Sequence, residues 1–75
     1  MKQKAYDEIS VEIAGRSFVG RRTIEGTRSL CQTIYYGEYS KADAKHYSPK
    51  ERGSMVGAAQ IILRELIEEA GHYPE

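Results

Sequence analysis

The sequence has a single cysteine and no long apolar run, and each shortage excludes a class of protein. Cys31 has no second cysteine with which to pair, so an intrachain disulfide and two-cysteine metal motifs are excluded and a reducing compartment is favoured. No stretch approaches the ~20 apolar residues that a membrane-spanning helix needs. Residues 1–15 contain no apolar run typical of a signal peptide. We therefore expect a cytoplasmic protein that does not enter a membrane.

The sequence also lacks a surplus of charge, since eleven Lys and Arg balance eleven Asp and Glu. A balanced chain has no global field that would recruit nucleic acid or anionic lipid. The distribution is less even: residues 16–52 carry eight basic and four acidic side chains, whereas residues 53–75 carry one basic and four acidic side chains. The middle of the chain is therefore basic and its C-terminal part is acidic.

Motifs for catalysis and for cofactors are scarce. His46 and His72 are the only histidines, and neither has the spacing from Cys31 or from carboxylates that is typical of a metal site. The sequence places no histidine to activate Cys31 as a nucleophile. The stretch "GRSFVG" lacks the spacing and the lysine of a phosphate-binding loop. We predict a protein that is not an enzyme, with no catalytic residue, metal site, cofactor or small-molecule substrate.

The length of 75 residues indicates one small domain, 1–75. A chain of this size buries only roughly 60–65% of the surface that its unfolded form exposes. Its core is thin, so burial against a partner would add useful stability. We divide the chain into a flexible lead-in (1–8), a β-meander (9–36), a loop or strand extension (37–47) and a C-terminal helix (48–71).

Alternating apolar residues, as in "ISVEI", predict three half-buried strands in the meander. A two-residue type II′ loop at Gly15-Arg16 would pair Ile13 with Phe18, and a second loop would pair Ile24 with Leu30. These registers place the apolar strand residues on one face, and a slip of one residue would scatter them. This face comprises Ile9, Val11, Ile13, Phe18, Ile24, Leu30, Ile34 and Tyr36.

Three further positions of this face are not apolar. Gly20 lies at its centre, where a missing side chain is expected to let a helix approach the sheet closely. Arg22 and Gln32 are expected at its rim, because burying either side chain without a partner would be costly.

The stretch "SPKE" marks the start of the helix with a capping box and a proline in the first helical position. Ser48 is the N-cap and Glu51 its partner, and Gly71 is the expected C-terminal cap. The apolar stripe of this helix comprises Met55, Val56, Ala59, Ile62, Leu63, Leu66, Ile67 and Ala70. We predict an α+β fold (β-β-β-α): a three-stranded antiparallel β-meander with one C-terminal α-helix packed across one face.

Ile61 does not fit this stripe, because consecutive helical residues point about 100° apart. Gly53, Gly57 and Ile61 instead follow each other at intervals of four on the side away from the sheet. Glycine in a helix interior costs ~1 kcal/mol relative to alanine, so two glycines there suggest a close approach. Arg64 and Glu68, an expected i,i+4 ion pair, flank this ridge.

We therefore predict a protein-binding or adaptor module that self-associates as a homodimer, or binds a small protein partner, through this ridge. The predicted interface is Gly53, Gly57, Ile61, Arg64 and Glu68. In the alternative view Ile61 is an isolated exposed apolar residue, which is common on protein surfaces.

The alternative function is binding of single-stranded or structured RNA or DNA through the outer sheet face and the segment 39–52. Tyrosines and basic residues interleave there, and aromatic rings for stacking with cations for phosphate are typical of single-strand platforms. The candidate residues are Arg21, Tyr35, Tyr39, Lys41, Lys45, Tyr47, Lys50 and Arg52.

Overall fold

The computed structural model describes residues 6–74, which form four strands followed by one α-helix. The elements are β1 (Asp7–Ile13), β2 (Arg16–Glu25), β3 (Cys31–Tyr36), β4 (Tyr39–Ala42), a 3-10 turn (Pro49–Glu51) and α1 (Arg52–Glu69). Within the predicted lead-in, β1 already begins at Asp7, and residues 1–5 lie outside the described residues.

The α+β class with one C-terminal helix is confirmed, but the predicted number of strands is wrong. The strands form one antiparallel sheet in the order β1-β2-β3-β4, so the meander has four strands rather than three. The fourth strand, β4, falls in the segment that the sequence left open. All its residues are exposed, so it has no buried side that periodicity would reveal. Backbone pairing with β3 holds it in the sheet.

The first hairpin turns at Ala14-Gly15 rather than at the predicted Gly15-Arg16. Ile13 therefore pairs with Arg16, whereas the prediction paired it with Phe18. The φ angle is 51° at Ala14 and 77° at Gly15, and positive φ at both central residues is the requirement of a type I′ loop, whose twist suits the flanking strands. The register differs by two residues, so every side chain stays on its predicted face.

The second hairpin also differs from the prediction by two residues, since Ile24 lies opposite Gln32 rather than Leu30. Leu30 instead forms an isolated bridge with Tyr47. The N–H of Leu30 donates to the Tyr47 carbonyl at 2.7 Å, and the N–H of Tyr47 donates back at 2.9 Å. This bridge ties the loop between β2 and β3 to the segment that precedes the helix.

The predicted apolar face is the core side of the sheet. The main cluster of buried residues comprises Ile9, Val11, Ile13, Ile34, Ala59, Ile62, Leu63, Leu66 and Ile67, with Phe18 and Tyr36 packed partly buried against it. A smaller cluster joins Leu30, Tyr47 and Met55, with Ile24 and Ala58 at its border. Val56 departs from the predicted stripe, because it lies at the edge of that stripe and remains 43% exposed.

Gln32 lies in the core, not at the predicted rim, and its side chain is fully satisfied there. Its amide nitrogen donates to Asp43 Oδ2 at 2.9 Å and to the Met55 carbonyl at 3.0 Å, and its amide oxygen accepts from Arg22 Nη1 at 3.5 Å. Burial of a polar group costs little when its hydrogen bonds are made. Arg22 reaches the rim, where Nη2 lies 3.5 Å from Asp7, although its buried Nε has no partner among the described residues.

The predicted capping box at Ser48 opens the 3-10 turn Pro49–Glu51 rather than α1, which spans only Arg52–Glu69 of the predicted 48–71, and the predicted cap at Gly71 follows the helix. The N–H of Ser48 donates to Glu51 Oε1 at 3.0 Å, which is one half of a capping box. Gly71 has a φ of 77°. The N–H groups of Gly71 and His72 donate to carbonyl oxygens of the last helical turn, each at 3.0 Å, as in a Schellman motif.

The helix packs on β1 and β3, and β2 lies between them. A Cβ atom on Gly20 of β2 would lie 2.6 Å from Leu63 Cδ1 and 2.7 Å from the Tyr35 carbonyl oxygen. The predicted close approach at Gly20 is therefore confirmed. Within residues 6–74 no element covers the other face of the sheet, which we call the outer sheet face.

Candidate functional site

The side of α1 that faces away from the sheet carries the predicted ridge, which we call the helix back. Ile61 is 58% exposed, whereas the next two residues, Ile62 and Leu63, are buried. Nothing lies within 4 Å of a Cβ atom built on Gly53 or Gly57. The two glycines therefore leave a shallow depression beside an exposed isoleucine, and both are open to an approaching surface.

The charged side chains of the helix back form no ion pairs within the described residues. The predicted i,i+4 ion pair between Arg64 and Glu68 is not formed, and neither side chain has a hydrogen bond or ion pair with any residue of the described chain. Lys50, in the 3-10 turn before α1, is likewise exposed and unpaired within residues 6–74. These three charges are available to a partner.

The outer sheet face carries an aromatic group that the sequence predicted only in part. The rings of Tyr6 and Tyr35 meet edge to face, with centroids 5.7 Å apart and planes at 78°. The guanidinium carbon of Arg21 lies 5.1 Å from the centre of the Tyr6 ring. Arg21 and Tyr35 are neighbours because they are opposed in the β2–β3 register. Tyr6 was missed because it precedes the first alternating run.

Two of the predicted nucleic-acid residues lie on the opposite side of the sheet. Tyr39 and Lys41 are opposed to Tyr36 and Ile34 in β3, so their side chains share the helix side. Lys41 Nζ lies 3.3 Å from Glu65 Oε1 and 3.4 Å from a carboxylate oxygen of Glu69. The hydrogen bonds with Glu65 and Glu69 raise the pKa of Lys41 above its usual value. The charge of Lys41 is therefore engaged in ion pairs that connect β4 to α1.

Tyr47 is a core residue, only 4% exposed. Its hydroxyl donates to Asp43 Oδ2 at 2.7 Å, and this bond, with burial, raises the pKa of Tyr47 to about 12. The ring is covered by Lys45, whose Nζ lies 4.9 Å from the ring centre and 4.0 Å from Glu51 Oε2. Tyr47 packs with Leu30 and Met55, and this tertiary contact has no counterpart in the local sequence pattern.

The eight predicted nucleic-acid residues therefore do not form one surface. Arg21 and Tyr35 lie on the outer sheet face, Tyr39 and Lys41 lie on the helix side, and Tyr47 is buried. The remaining three, Lys45, Lys50 and Arg52, are exposed around the start of the helix.

The groups with chemical reactivity are dispersed. Among residues 6–74 no three His, Cys, Asp or Glu side chains are grouped to hold a metal ion. Cys31 is half-buried on the outer sheet face. His46 Nδ1 lies 3.1 Å from Ser29 Oγ, and His72 Nδ1 lies 2.8 Å from the Tyr36 hydroxyl.

Comparison with known proteins found no match: no family model, no curated protein and no solved structure matches this chain. Across the described residues, α1 is too short of apolar side chains to cross a bilayer, and no other helix is long enough.

Proposed function

We propose that the protein is a cytoplasmic, non-enzymatic adaptor module that self-associates, with the helix back as the contact between two copies. The observation that supports this proposal is Ile61, whose side chain is 58% exposed beside the open depression at Gly53 and Gly57. A two-fold contact is self-complementary, so a projection and a recess on the same surface can fill each other.

An antiparallel crossing fits the helix back best. In this arrangement Ile61 of each copy packs into the space at Gly57 of the other, and the two-fold axis passes between these positions. The missing side chain at Gly57 allows the helices to approach closely. Burying an aliphatic side chain in this way contributes about 1.5–3 kcal/mol, which is useful to a domain with a thin core.

The charges of the helix back are complementary in the same arrangement. Lys50 lies seven residues before Gly57, and Glu68 lies seven residues after Ile61. Seven residues are about two helical turns, so each Lys50 meets Glu68 of the second copy at the two ends of the contact. Both side chains are unpaired within the described chain. Exposed pairs add little affinity, but they specify the antiparallel orientation.

The first test is the Ile61→Glu variant, examined by analytical ultracentrifugation and circular dichroism. We expect a dimer in the parent protein and a folded monomer in the variant, because two carboxylates would meet near the axis. Val56→Glu is the matched control: Val56 is 43% exposed on a different side of the same helix, so this variant should remain dimeric. A parent protein that is monomeric at several hundred micromolar overturns the proposal.

A charge exchange tests the orientation. Glu68→Lys should weaken the dimer, because it opposes Lys50 of the second copy with a like charge, and the double variant Lys50→Glu with Glu68→Lys should restore it. If the double variant dimerises no more tightly than the single variant, the helices do not cross in this register.

The second candidate function is binding of single-stranded nucleic acid on the outer sheet face. The observation that favours it is the group of Tyr6, Tyr35 and Arg21 on the outer sheet face, which no element of the described chain covers. Rings that stack on bases beside a cation are the components of a sequence-tolerant platform.

This candidate predicts binding of a mixed single-stranded oligonucleotide at low ionic strength, with affinity that falls steeply as salt is added. Arg21→Gln should reduce the affinity, whereas Lys41→Gln should not, because Lys41 is held by Glu65 and Glu69 on the other side of the sheet. Absence of binding at low salt removes this candidate.

A further inference from the structure

A recess lies at the end of the sheet, beyond the C-terminus of α1. Its volume is about 570 Å³, within the range of small-molecule sites. Arg16 and Phe18 of β2, Tyr36 of β3 and residues 71–74 form its walls. This recess lies apart from both surfaces discussed above.

The topology explains why the recess is open. β3 pairs with β2 only as far as Arg21 and then turns back at residues 37–38 into β4. The first part of β2, from Arg16, therefore extends beyond β3. On the helix side, the left-handed Gly71 ends α1 and redirects the chain, so that His72–Pro74 form the other wall. Two chain reversals thus leave a space between them.

The recess has aromatic walls. Phe18 and Tyr36 are partly buried against the core, and Tyr73 is 41% exposed. The rings of Tyr36 and His72 meet edge to face with centroids 5.7 Å apart, and the Tyr36 hydroxyl is hydrogen-bonded to His72 Nδ1 at 2.8 Å. This bond holds the imidazole in place and leaves Nε2 for another partner. A planar apolar group would find ring faces and edges on several sides.

Among residues 6–74, one positive charge and no negative charge line the recess. The Arg16 side chain is exposed and makes no hydrogen bond or ion pair with any described residue. No Asp or Glu of the described part of the chain lines the recess. A guanidinium presents its N–H groups in a planar fork that matches a carboxylate. The polar end of a fitting ligand is therefore an anion, and its body is an aromatic ring.

We propose that this recess binds a small aromatic carboxylate, with the carboxylate on Arg16 and the ring between Phe18, Tyr36 and Tyr73. The imidazole of His72, fixed by Tyr36, supplies a second polar contact through Nε2. The site is a binding site and requires no chemical step.

The test uses 2-naphthoate as the probe and 2-naphthamide as its neutral counterpart, each titrated into labelled protein and followed by amide chemical shifts. We expect 2-naphthoate to shift the amides of residues 71–73 and of Tyr36 saturably. The amide should bind about tenfold more weakly or worse, because it lacks the charge that Arg16 recognises. Equal binding of the two probes, or no saturable shift with 2-naphthoate, overturns the proposal.

A matched pair of variants tests the role of Arg16. Arg16→Gln should weaken 2-naphthoate binding about tenfold and leave the weak binding of 2-naphthamide unchanged. Arg28→Gln is the control, because Arg28 is also exposed but lies in the loop at the opposite end of β2, and it should bind like the parent. An Arg16→Gln variant that retains the parent affinity shows that the guanidinium does not hold the carboxylate.

Discussion

Gly20 shows how a single residue determines the distance between the two layers of the fold. A side chain there would collide both with the flexible end of Leu63 and with the Tyr35 carbonyl, which is backbone and cannot rotate away. The contact with Leu63 places the helix close to the sheet at Gly20, and the contact with the Tyr35 carbonyl, which belongs to β3, leaves no room for a side chain within the sheet itself. This is a steric requirement, and the φ angle of Gly20 plays no part in it.

Gly20→Ala is expected to lower the free energy of unfolding by about 1–3 kcal/mol, the usual cost of overpacking a core. Urea unfolding monitored by circular dichroism measures the change. Gly53→Ala, made in the Ile61→Glu background so that the proposed helix contact is absent, is the control: its Cβ would meet nothing within 4 Å, so the better helix propensity of alanine should raise stability by up to about 1 kcal/mol. A neutral Gly20→Ala variant would mean that Leu63 and the Tyr35 carbonyl lie farther from Gly20 than described.

Asp43 and Tyr47 form a pair whose protonation is linked to stability at both ends of the pH scale. Burial alone would raise the pKa of Asp43, but hydrogen bonds from Gln32, the Lys45 N–H and Tyr47 outweigh it and hold that pKa below its usual value. The same contact with Asp43 raises the pKa of Tyr47 to about 12.

These shifts predict a two-sided loss of stability. Tyr47 contributes fully below its unfolded pKa of about 10, and the contribution is lost as the pH rises through the folded pKa of about 12. Asp43 contributes fully above its unfolded pKa of about 3.9, and the contribution is lost as the pH falls through its lower folded pKa. Ultraviolet titration of the tyrosines should show one late-titrating group, which Asp43→Asn shifts to lower pH and Asp7→Asn does not. If Asp43→Asn leaves the tyrosine titration unchanged, the pair is not formed.

At the scale of elements, the sequence pattern predicts the strands and the helix that have a buried side, and it misses a strand that has none. Ile9, Val11, Ile13 and Ile34 identified the core face correctly because burial imposes a period of two on the strands. The same argument cannot choose between registers that differ by two residues, since both keep each side chain on its face. The choice at the first hairpin depends on Ala14, whose positive φ is uncommon for a residue with a side chain.

β4 was not predictable by the same means. Its four residues are all exposed, and the backbone hydrogen bonds to β3 define it. The sequence likewise predicts a candidate surface residue only where a local pattern reveals it. Ile61 was recognisable because it breaks a helical period, whereas the separate positions of Tyr35, Lys41 and Tyr47 depend on tertiary packing that no local pattern contains.

Proline substitutions in β4 test the fourth strand. Because bonding alternates along an antiparallel ladder and the Asp43 N–H donates to the Gln32 carbonyl, the N–H of Lys41 faces β3 and that of Ala42 faces the free edge. Lys41→Pro should therefore release β4, seen as faster amide exchange in β3, whereas Ala42→Pro should be tolerated. Lys41→Ala separates the loss of the N–H from the loss of the Glu65 contact. Equal effects of the two prolines would show that β4 is not paired.

At the scale of the whole molecule, one helix covers one face of a four-stranded sheet, and no element formed by residues 6–74 covers the other face. The core consists of one main cluster and a small second cluster around Tyr47. A molecule with so little interior gains proportionally more from each additional buried side chain than a larger domain does. Self-association through the helix back would add buried apolar surface to this small core.

If two copies associate through the helix back, the melting temperature should rise with protein concentration, because only folded chains bind each other. The dependence should disappear in Ile61→Glu. The control is again Val56→Glu, which should retain it. Differential scanning calorimetry over a hundredfold range of protein concentration provides the measurement. Across this range, dimerisation raises the free energy of unfolding by about 2.7 kcal/mol if the dimer is saturated at the upper end. A melting temperature independent of concentration in the parent protein would contradict self-association.

Each strand lies in the sheet next to the strand that precedes it in the chain, so folding can proceed one hairpin at a time. Hairpins form in about 1–10 μs, and the short loops between these strands need little closure entropy. The contacts between α1 and β1 are different: the Gln60 amide donates to the Ser10 carbonyl across 50 residues of chain. We therefore expect docking of the helix onto the first strand to be the slow step, so that core substitutions in α1 alter the folding rate more than changes in the turns do.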